Sequence, residues 1–459
     1  MLSLRSLLLA ALLTPSLLLA TAPKLETAQP SAHERALGVP DWVARGTIYE
    51  INVRQFSASG QLAAVTADLP RLQALGVDIL WLMPIHPIGE LHRKGPLGSY
   101  YAIKDYFAVN PEFGTDADLR EFVSAAHARG MRVILDWVGN HVSPDNPLTQ
   151  THPHFFIRDA DGQLVPPHNT DWTDVVQFDF SAPGLLDYQT EALLHWVQKF
   201  GIDGFRCDVA WGLPTPFWDE LTRRVRAVKP DAFFLAEAEL PQQQVRAFNT
   251  SYGFDLHHTM NSVAQGRKAV SALDDALAKF RAMFPAGGSL MVFTSSHDEN
   301  TWAGTEFERL GMGYAPFAVL SFLLDGVPMI YNGQEVGLER RLEFFERDPI
   351  EWPQEPHPTT QLYQVLTQLR RTHPALHTGA AMRRLDTTDN ATFYAVLREV
   401  DGKKIVGFLN LTAKDAKADA FDPALAGRWR DAFTGETVTF SAHVPLELKA
   451  WRYRVLVSE

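Results

Sequence analysis

Short apolar runs alternate with amphipathic segments from about residue 46 to residue 340. In one such segment leucines recur at helical spacing as far as Leu75, and Gly76 follows as a typical helix C-terminus. The next run, residues 78–85, is largely apolar, as buried strands are. Because strands that alternate with helices build βα units, the pattern predicts an α/β fold with a parallel sheet.

The alternation continues through eight predicted strands. The helix before the third strand has Thr115 as its predicted N-cap and Gly130 at its end. The predicted strands cover residues 48–56, 78–85, 132–138, 204–210, 233–237, 252–257, 290–295 and 328–331. A chain of 459 residues is long enough for a parallel barrel of about 250 residues or more and a smaller domain.

Two changes of pattern divide the chain. Residues 140–176 are rich in Pro, Asp, His and Asn and contain no regular helical pattern, so we predict a small loop-rich lobe inserted after the third strand. Helical periodicity is lost again after residue 374, where Asp401–Gly402 separates two apolar runs as in a hairpin. We therefore predict a catalytic barrel over 40–139 and 177–373 and a C-terminal antiparallel β-sandwich over 374–459.

The N-terminus has the pattern of a secretory signal peptide over residues 1–22. Arg5 precedes an apolar run over 7–19, and small residues follow at 20–22. The run is short for a membrane span, although an uncleaved anchor is the alternative interpretation. The single cysteine, Cys207, excludes an intramolecular disulfide. We expect an exported protein, periplasmic or extracellular, with no stable membrane insertion after cleavage.

Composition narrows the class of partner. With 46% hydrophobic and 21% charged residues, the chain is typical of globular proteins. The net charge of −12 disfavours nucleic acid, since polyanions are bound by clustered Lys and Arg. A neutral substrate is expected, and the sequence specifies no oligomeric state.

Polar residues end several of the predicted strands, and in a parallel barrel the C-terminal strand ends build the active site. The third strand ends with Asp136, followed by Asn140 and His141. On the fourth strand, Arg206 and Asp208 share one face because side chains alternate. A neighbouring arginine keeps a carboxylate ionised, as a nucleophile requires; the alternative is a structural ion pair.

Two more strands end in carboxylates. Glu237 closes an apolar fifth strand, where burial would raise its pKa and suit a general acid. Glu239 has the same parity but lies further out, so we favour Glu237. The seventh strand leads to His297 and Asp298. Glycoside cleavage requires such a set, with one carboxylate to attack and one acid to protonate the leaving oxygen.

Together these segments resemble the α-amylase family of retaining glycoside hydrolases. The residues that carry the resemblance are Asp136 with Asn140 and His141, Arg206 with Asp208, Ala236 with Glu237, and His297 with Asp298. Weaker similarities occur in the same order at residues 80–84, 98–101, 105–106, 177–179 and 332–335.

The resemblance implies a (β/α)8 TIM barrel with a small lobe after strand three and a C-terminal β-sandwich. It also implies hydrolysis of α-1,4-linked glucans, such as starch or maltodextrins, through a covalent intermediate. Asp208 would attack the anomeric carbon, Glu237 would act as general acid and base, and Asp298 would bind hydroxyls of the distorted sugar. The implied substrate-binding residues are Tyr101, His141, Arg206 and His297.

The sequence departs from the family pattern at three positions. Ser296 replaces the usual Asn before His-Asp, and Trp211 and Gly212 replace a frequent Lys-His pair. Family members with a structural calcium often use a backbone carbonyl at the latter position, and Asn140 could contribute its side-chain oxygen here. The metal therefore stays open, and the chemistry itself requires no cofactor.

Two other functions share part of this pattern. A glucanotransferase or branching enzyme uses the same residues but resolves the intermediate with a sugar hydroxyl, and the export signal favours hydrolysis. A non-catalytic carbohydrate-binding barrel would have lost catalytic carboxylates, whereas this chain keeps all three.

Overall fold

Eight parallel strands close into a barrel in the computed structural model, which describes residues 34–459. The predicted signal peptide lies outside the described residues. The strands are β1 (Ile48–Ile51), β2 (Ile79–Leu82), β3 (Arg132–Trp137), β4 (Gly204–Cys207), β5 (Phe233–Ala236), β6 (Thr250–Tyr252), β7 (Leu290–Phe293) and β8 (Val327–Tyr331). They follow one another around the barrel in chain order, and β8 pairs with β1.

Helices surround the barrel. In α4, Thr115 caps the N-terminus through the Asp118 N–H, as predicted. The helices are α1 (Asp41–Ala44), α2 (Val53–Phe56), α3 (Leu62–Leu75), α4 (Asp116–Ala128), α5 (Leu148–Thr151), α6 (Leu185–Phe200), α7 (Thr215–Val228), α8 (Phe254–Ala264), α9 (Ala272–Met283), α10 (Glu306–Leu310), α11 (Tyr314–Leu323) and α12 (Pro358–Thr372). None in residues 34–459 is both long and apolar enough to cross a membrane. Helices α3, α4, α6 and α7 each bury one largely apolar side, and α11 is buried almost all round.

Two strand predictions were wrong in their bounds. The first strand ends at Ile51, where the Asn332 side chain accepts the Asn52 N–H, and the apolar residues that follow form α2. Periodicity alone does not separate a short buried strand from a buried helical turn. The sixth strand is Thr250–Tyr252, earlier than predicted, because its polar residues are buried and hydrogen-bonded, as Ser251 is to Gln244.

The segment between β3 and α6 is an excursion with little regular structure. Its short antiparallel pair joins His141–Val142 to Val176–Gln177, and α5 is its one α-helix. The prediction of a loop-rich lobe after strand three is confirmed.

The C-terminal residues form two antiparallel sheets with a common core. Phe393 and Trp429 of the larger sheet pack in one apolar cluster with Val444 of the smaller sheet, which confirms the sandwich. The larger sheet holds β9 (Ala381–Leu385), β10 (Phe393–Val400), β11 (Lys403–Asn410), β13 (Gly427–Asp431), β14 (Thr437–Phe440) and β16 (Tyr453–Ser458), and the smaller holds β12 (Ala416–Phe421) and β15 (His443–Leu448).

Side chains inside the barrel change from apolar to polar along the strands. The lower part is filled by residues such as Ile48, Ile134 and Met329. One pleat further along, Glu50 and Asp136 face the same interior and are buried. Because charged groups in such a place need partners, this upper layer marks the part of the barrel in which chemistry is to be sought.

Candidate active site

A single buried guanidinium lies at the centre of the polar layer. Nη1 of Arg206 lies 2.9 Å from Asp136 Oδ1 and 2.8 Å from Asp208 Oδ1, and Nη2 lies 2.8 Å from Glu237 Oε1. Its Nε donates a hydrogen bond to the Tyr252 hydroxyl at 3.1 Å. The ends of β3, β4 and β5 thus present three carboxylates to one cation, and Asp208 and Glu237 are brought together.

The backbone turn after Asp208 directs a second donor at Glu237. Val209 has a left-handed conformation, with φ 44° and ψ 43°, that β-branched residues seldom adopt. Its N–H donates to Glu237 Oε2 at 2.7 Å. Glu237 is therefore held from both sides, since Arg206 binds its other oxygen.

Burial gives the two carboxyl groups different proton affinities. It raises the pKa of Asp208 to about 6, because the cost of desolvation exceeds the opposing effect of Arg206. It raises the pKa of Glu237 further, to about 8, again against Arg206. Near neutral pH, Asp208 is mainly a carboxylate and Glu237 is mainly an acid. This difference is what a nucleophile and a proton donor require.

A histidine and a tyrosine form the opposite side of the site. Tyr101 donates its hydroxyl proton to Asp136 Oδ2 at 3.2 Å, and its oxygen lies 2.8 Å from His297 Nε2. The other ring nitrogen of His297 bonds to Glu50. Burial lowers the pKa of His297, but the Asp298 and Glu50 carboxylates raise it to about 9 overall. His297 is therefore an imidazolium that donates from both nitrogens.

The remaining two predicted residues differ in their surroundings. Asp298 lies 3.3 Å from His297 Nε2, and 48% of its side chain is exposed, so its second oxygen is open to a ligand. His141 is buried, contacts the Trp172 ring, and lies 3.2 Å from the Asn140 amide. Burial lowers the pKa of His141 to about 3, which keeps it neutral. Its described contacts are with the lobe and with the Tyr101 backbone rather than with the three carboxylates.

The sequence of most of the barrel matches the model of a known protein family. Residues 39–159 and 169–353 match the family model described as "Alpha amylase, catalytic domain". The chain belongs to the α-amylase family. The predicted family is therefore confirmed, together with its barrel fold.

Individual members of the α-amylase family resemble the chain over nearly its whole length. An α-amylase from Lactobacillus plantarum is 32% identical, with a TM-score of 0.81, and the match covers 91% of this chain and 100% of that one. A noncanonic maltogenic α-amylase from Thermotoga neapolitana is 27% identical, with a TM-score of 0.83 and coverage of 91% and 99%.

A longer relative is the α-amylase of Haloarcula japonica. It is 28% identical over 402 residues, and the match covers 84% of this chain. This chain spans only 56% of that relative's length.

Three residues of this α-amylase-family site escaped the sequence analysis. Glu50 orients His297, Trp81 donates its indole N–H to Asp136 Oδ2 at 3.2 Å, and Tyr252 accepts from Arg206. Glu50 carried a usable signal, because it is a carboxylate with inward parity on an apolar strand. Trp81 lies in the weak family similarity at residues 80–84, but neither Trp81 nor Tyr252 carried a chemical signal of its own, since aromatic residues in strands are usually core.

The surroundings of Asn140 do not fit the structural calcium that the family resemblance suggested. Its side-chain oxygen and its carbonyl each accept a hydrogen bond from Gln177 Nε2 at 3.1 Å. Calcium requires oxygen ligands around it, whereas here an N–H donor occupies these acceptors. The Gly212 backbone packs closely against the same Asn140 side chain. A Cβ at this position would lie only 2.6 Å from Asn140 Oδ1, so a larger residue would not fit.

A second group with metal-binding side chains joins α8 to the segment after β7. His257 Nε2 lies 3.1 Å from Glu299 Oε2, and His258 Nε2 lies 3.7 Å from Glu299 Oε1. However, the Asn261 amide already bonds to His257 Nε2 at 3.0 Å, and Arg309 lies 3.8 Å from Glu299. These donors make the group an ion-pair network that fastens α8 to the segment after β7.

Proposed function

We propose that the chain is a retaining glycoside hydrolase that cleaves α-1,4-glucosidic bonds in starch, maltodextrins or related α-glucans. The observation that carries this proposal is the pairing of Asp208 and Glu237 on one arginine with different proton affinities. Retaining enzymes need their two carboxyl groups about 5–5.5 Å apart, and groups that share one guanidinium lie close together.

In the first step, Asp208 attacks the anomeric carbon and forms a glycosyl ester. The glycosidic C–O bond breaks, and Glu237 gives its proton to the departing oxygen. In the second step, the Glu237 carboxylate takes a proton from water while the water oxygen attacks the same carbon. Asp208 leaves as a carboxylate, and both groups regain their starting protonation states.

The other residues bind the sugar whose bond is cleaved. Tyr101 stacks beneath it, Asp298 accepts from its hydroxyls, and His141 hydrogen-bonds to it from the lobe side. His297 acts only as a donor, because Glu50 and Asp298 keep it protonated. Arg206 orients Asp208 and limits the cost of bringing several carboxylates into one buried site.

Replacement of the nucleophile tests the proposal directly. Asp208→Asn should fold normally yet lose activity on maltoheptaose by several orders of magnitude, because an amide does not form the glycosyl ester. Asp187→Asn, on the exposed face of α6, is the matched control and should keep wild-type activity. Substantial turnover by Asp208→Asn would remove this residue from the role.

The stereochemistry of the product tests double displacement and hydrolysis together. Proton NMR of a fresh maltoheptaose digest should show the α-anomer of the new reducing end first, because two inversions restore α. A β-anomer appearing first would exclude the mechanism. Products longer than maltoheptaose would identify the chain as a glucanotransferase or branching enzyme instead.

Export and independence from cofactors belong to the same proposal. N-terminal sequencing of the protein from the producing cell should find a mature chain that begins after the apolar run at residues 7–19. Dialysis against EDTA should leave both activity and melting temperature unchanged. Loss of stability that calcium restores would contradict the second expectation.

A further inference from the structure

A strip of aromatic side chains leads out of the site toward solvent. Trp302 is 58% exposed, and its ring centroid lies 5.4 Å from that of Phe344 and 6.2 Å from that of Phe345. Phe344 in turn stacks with Tyr101 at 6.3 Å. We call Tyr101, Phe344, Phe345 and Trp302 the aromatic strip. It is continuous from the proposed sugar platform to one of the most exposed large apolar side chains among residues 34–459.

Buried hydrogen bonds hold the outer end of the strip in place. Trp302 lies in a π-helical turn, Glu299–Ala303, a type of turn that is frequent at functional sites. Asn300 of this turn donates to the Arg340 carbonyl at 3.2 Å and accepts the Leu342 N–H at 2.8 Å. The turn is thus fastened to the loop after β8, and the indole is presented by a fixed backbone.

The inner part of the strip is fastened from the other side. The Leu97 N–H, in the loop after β2, donates to the Phe345 carbonyl at 3.1 Å. The strip is therefore built from three loops that are bonded to one another. An exposed apolar surface that is held this firmly indicates a binding site, because folding alone gives no reason to expose it.

The position of the strip in the barrel assigns it to one side of the scissile bond. Tyr101 follows β2 and Phe344 follows β8, and these strands flank β1, which lies across the barrel from β5. Glu237 ends β5 and protonates the leaving oxygen, so the leaving part of the glucan lies on its side. Tyr101 and Phe344 lie on the opposite side, with the part of the glucan that becomes bound to Asp208, and Trp302 continues the strip outward from Phe344 in the loop after β7.

We propose that the aromatic strip binds the glucose units beyond the attacked one, toward the non-reducing end, by stacking on their apolar faces, with Trp302 as its outer platform. This inference rests on the proposed function. Rigid tryptophans of this kind carry a large share of binding energy at interfaces. The enzyme should therefore prefer substrates with several glucose units on this side of the bond.

The test varies only this side of the substrate. We would measure kcat/KM for release of nitrophenol from 4-nitrophenyl α-maltopentaoside and from 4-nitrophenyl α-glucoside, which share a leaving group. The ratio of the two values should fall about tenfold in Trp302→Ala, equivalent to about 1.4 kcal/mol. Trp302→Phe should retain most of the ratio, since an aromatic face remains.

Trp211→Ala is the matched control. Trp211 is 47% exposed and follows β4, next to the strand that carries Glu237. Its replacement should leave the ratio unchanged. The inference is overturned if Trp302→Ala keeps the wild-type ratio, or if both variants lower it equally.

A binding measurement separates this inference from the proposed function. Calorimetric titration of maltopentaose into Asp208→Asn should give a dissociation constant about tenfold lower than for Asp208→Asn with Trp302→Ala. If the wild type cleaves no α-glucan but this difference is found, the proposed hydrolysis fails and the strip remains a glucan site. Equal dissociation constants for the two variants would overturn the inference that the aromatic strip binds glucan, while leaving the proposed hydrolysis unaffected.

Discussion

Arg206 sets the charge balance of the active site at the scale of single residues. One guanidinium contacts Asp136, Asp208 and Glu237 and also donates to Tyr252. A planar group with five donors can serve several acceptors at once, whereas a lysine presents a single point charge. The arginine allows three carboxyl groups to occupy one buried site, and burial raises the pKa of Glu237 above that of Asp208.

The different pKa values predict a bell-shaped dependence of kcat/KM on pH. Activity should fall as pH decreases through about 6, because Asp208 gains a proton and loses its nucleophilic form. It should fall again as pH rises through about 8, because Glu237 loses the proton it donates. The profile is measured on maltoheptaose in buffers of constant ionic strength. The assignment would be contradicted if kcat/KM did not fall below about pH 6 or did not fall above about pH 8.

A comparison of neighbouring carboxylates tests which one is the acid. Glu237→Gln should reduce kcat by several orders of magnitude, because the amide has no proton to give. Glu239→Gln should mainly change the product distribution, since Glu239 bonds to the Asp255 N–H at 3.2 Å and has no contact with Arg206 among the described bonds. Chromatography of starch digests and initial rates distinguish the two. If the two effects were reversed, Glu239 rather than Glu237 would be the general acid.

At the scale of elements, the two ends of the barrel strands have different tasks. The C-terminal ends carry the carboxylates of the candidate site, whereas the N-terminal ends carry ion pairs that hold strands together. Buried Asp203, just before β4, accepts from His127, from Arg132 and from the Val133 N–H of β3. It thereby fastens two neighbouring strands and α4, the helix that precedes β3.

Asp203→Asn should lower stability without changing catalysis. Burial raises the pKa of Asp203, but bonds from His127 and Val133 lower it below its usual value overall. Its contribution is therefore present above the unfolded-state pKa and is lost as pH falls. At neutral pH the substitution should reduce the free energy of unfolding by about 1.5–3 kcal/mol. Urea denaturation measures this.

The control for Asp203 is a partly exposed ion pair that also involves α4. Asp116→Asn breaks a 2.6 Å contact with Lys199, in which both side chains are partly exposed. It should cost less than about 1 kcal/mol. Equal losses of stability in the two variants would show that Asp203 contributes no more to the free energy of unfolding than an exposed ion pair does.

At the scale of the whole molecule, the barrel and the sandwich share a core. Tyr394, Val396 and Val455 of the sandwich belong to the same apolar cluster as the barrel helices. Arg398, fully buried on β10, donates across this boundary to the carbonyl of Leu323 on α11, and also to the carbonyl of His377 in the connecting segment. We therefore expect one cooperative unfolding transition for the two parts.

Arg398→Met should weaken this connection. The lost bonds leave buried carbonyls without donors, and we expect a cost of roughly 3 kcal/mol. Scanning calorimetry should show a lower melting temperature, while Arg428→Met, on the exposed face of β13, should leave it unchanged. Two separate transitions in the wild type would refute the shared core.

The sequence by itself determined the alternation of strands and helices, the C-terminal sandwich, and the carboxylates at the strand ends. These follow from short-range periodicity, because parity along a strand places Arg206 and Asp208 on one face whatever surrounds them. Glu237 and Glu239 share one parity, and position along the strand separates them, because Glu237 reaches Arg206 whereas Glu239 lies further out. The roles of these residues and the domain limits stay predictions that the experiments above address.

Only the tertiary structure decided which distant residues complete the site. Glu50 reaches His297 across 247 positions of sequence, and the short strand Thr250–Tyr252 is stabilised by partners outside it. Nothing in the sequence around Trp302 indicates a binding residue, and its role in the aromatic strip becomes visible only when the loops after β2, β7 and β8 are brought together. Such features depend on contacts between segments far apart in the chain, and local patterns contain no information about which segments will meet.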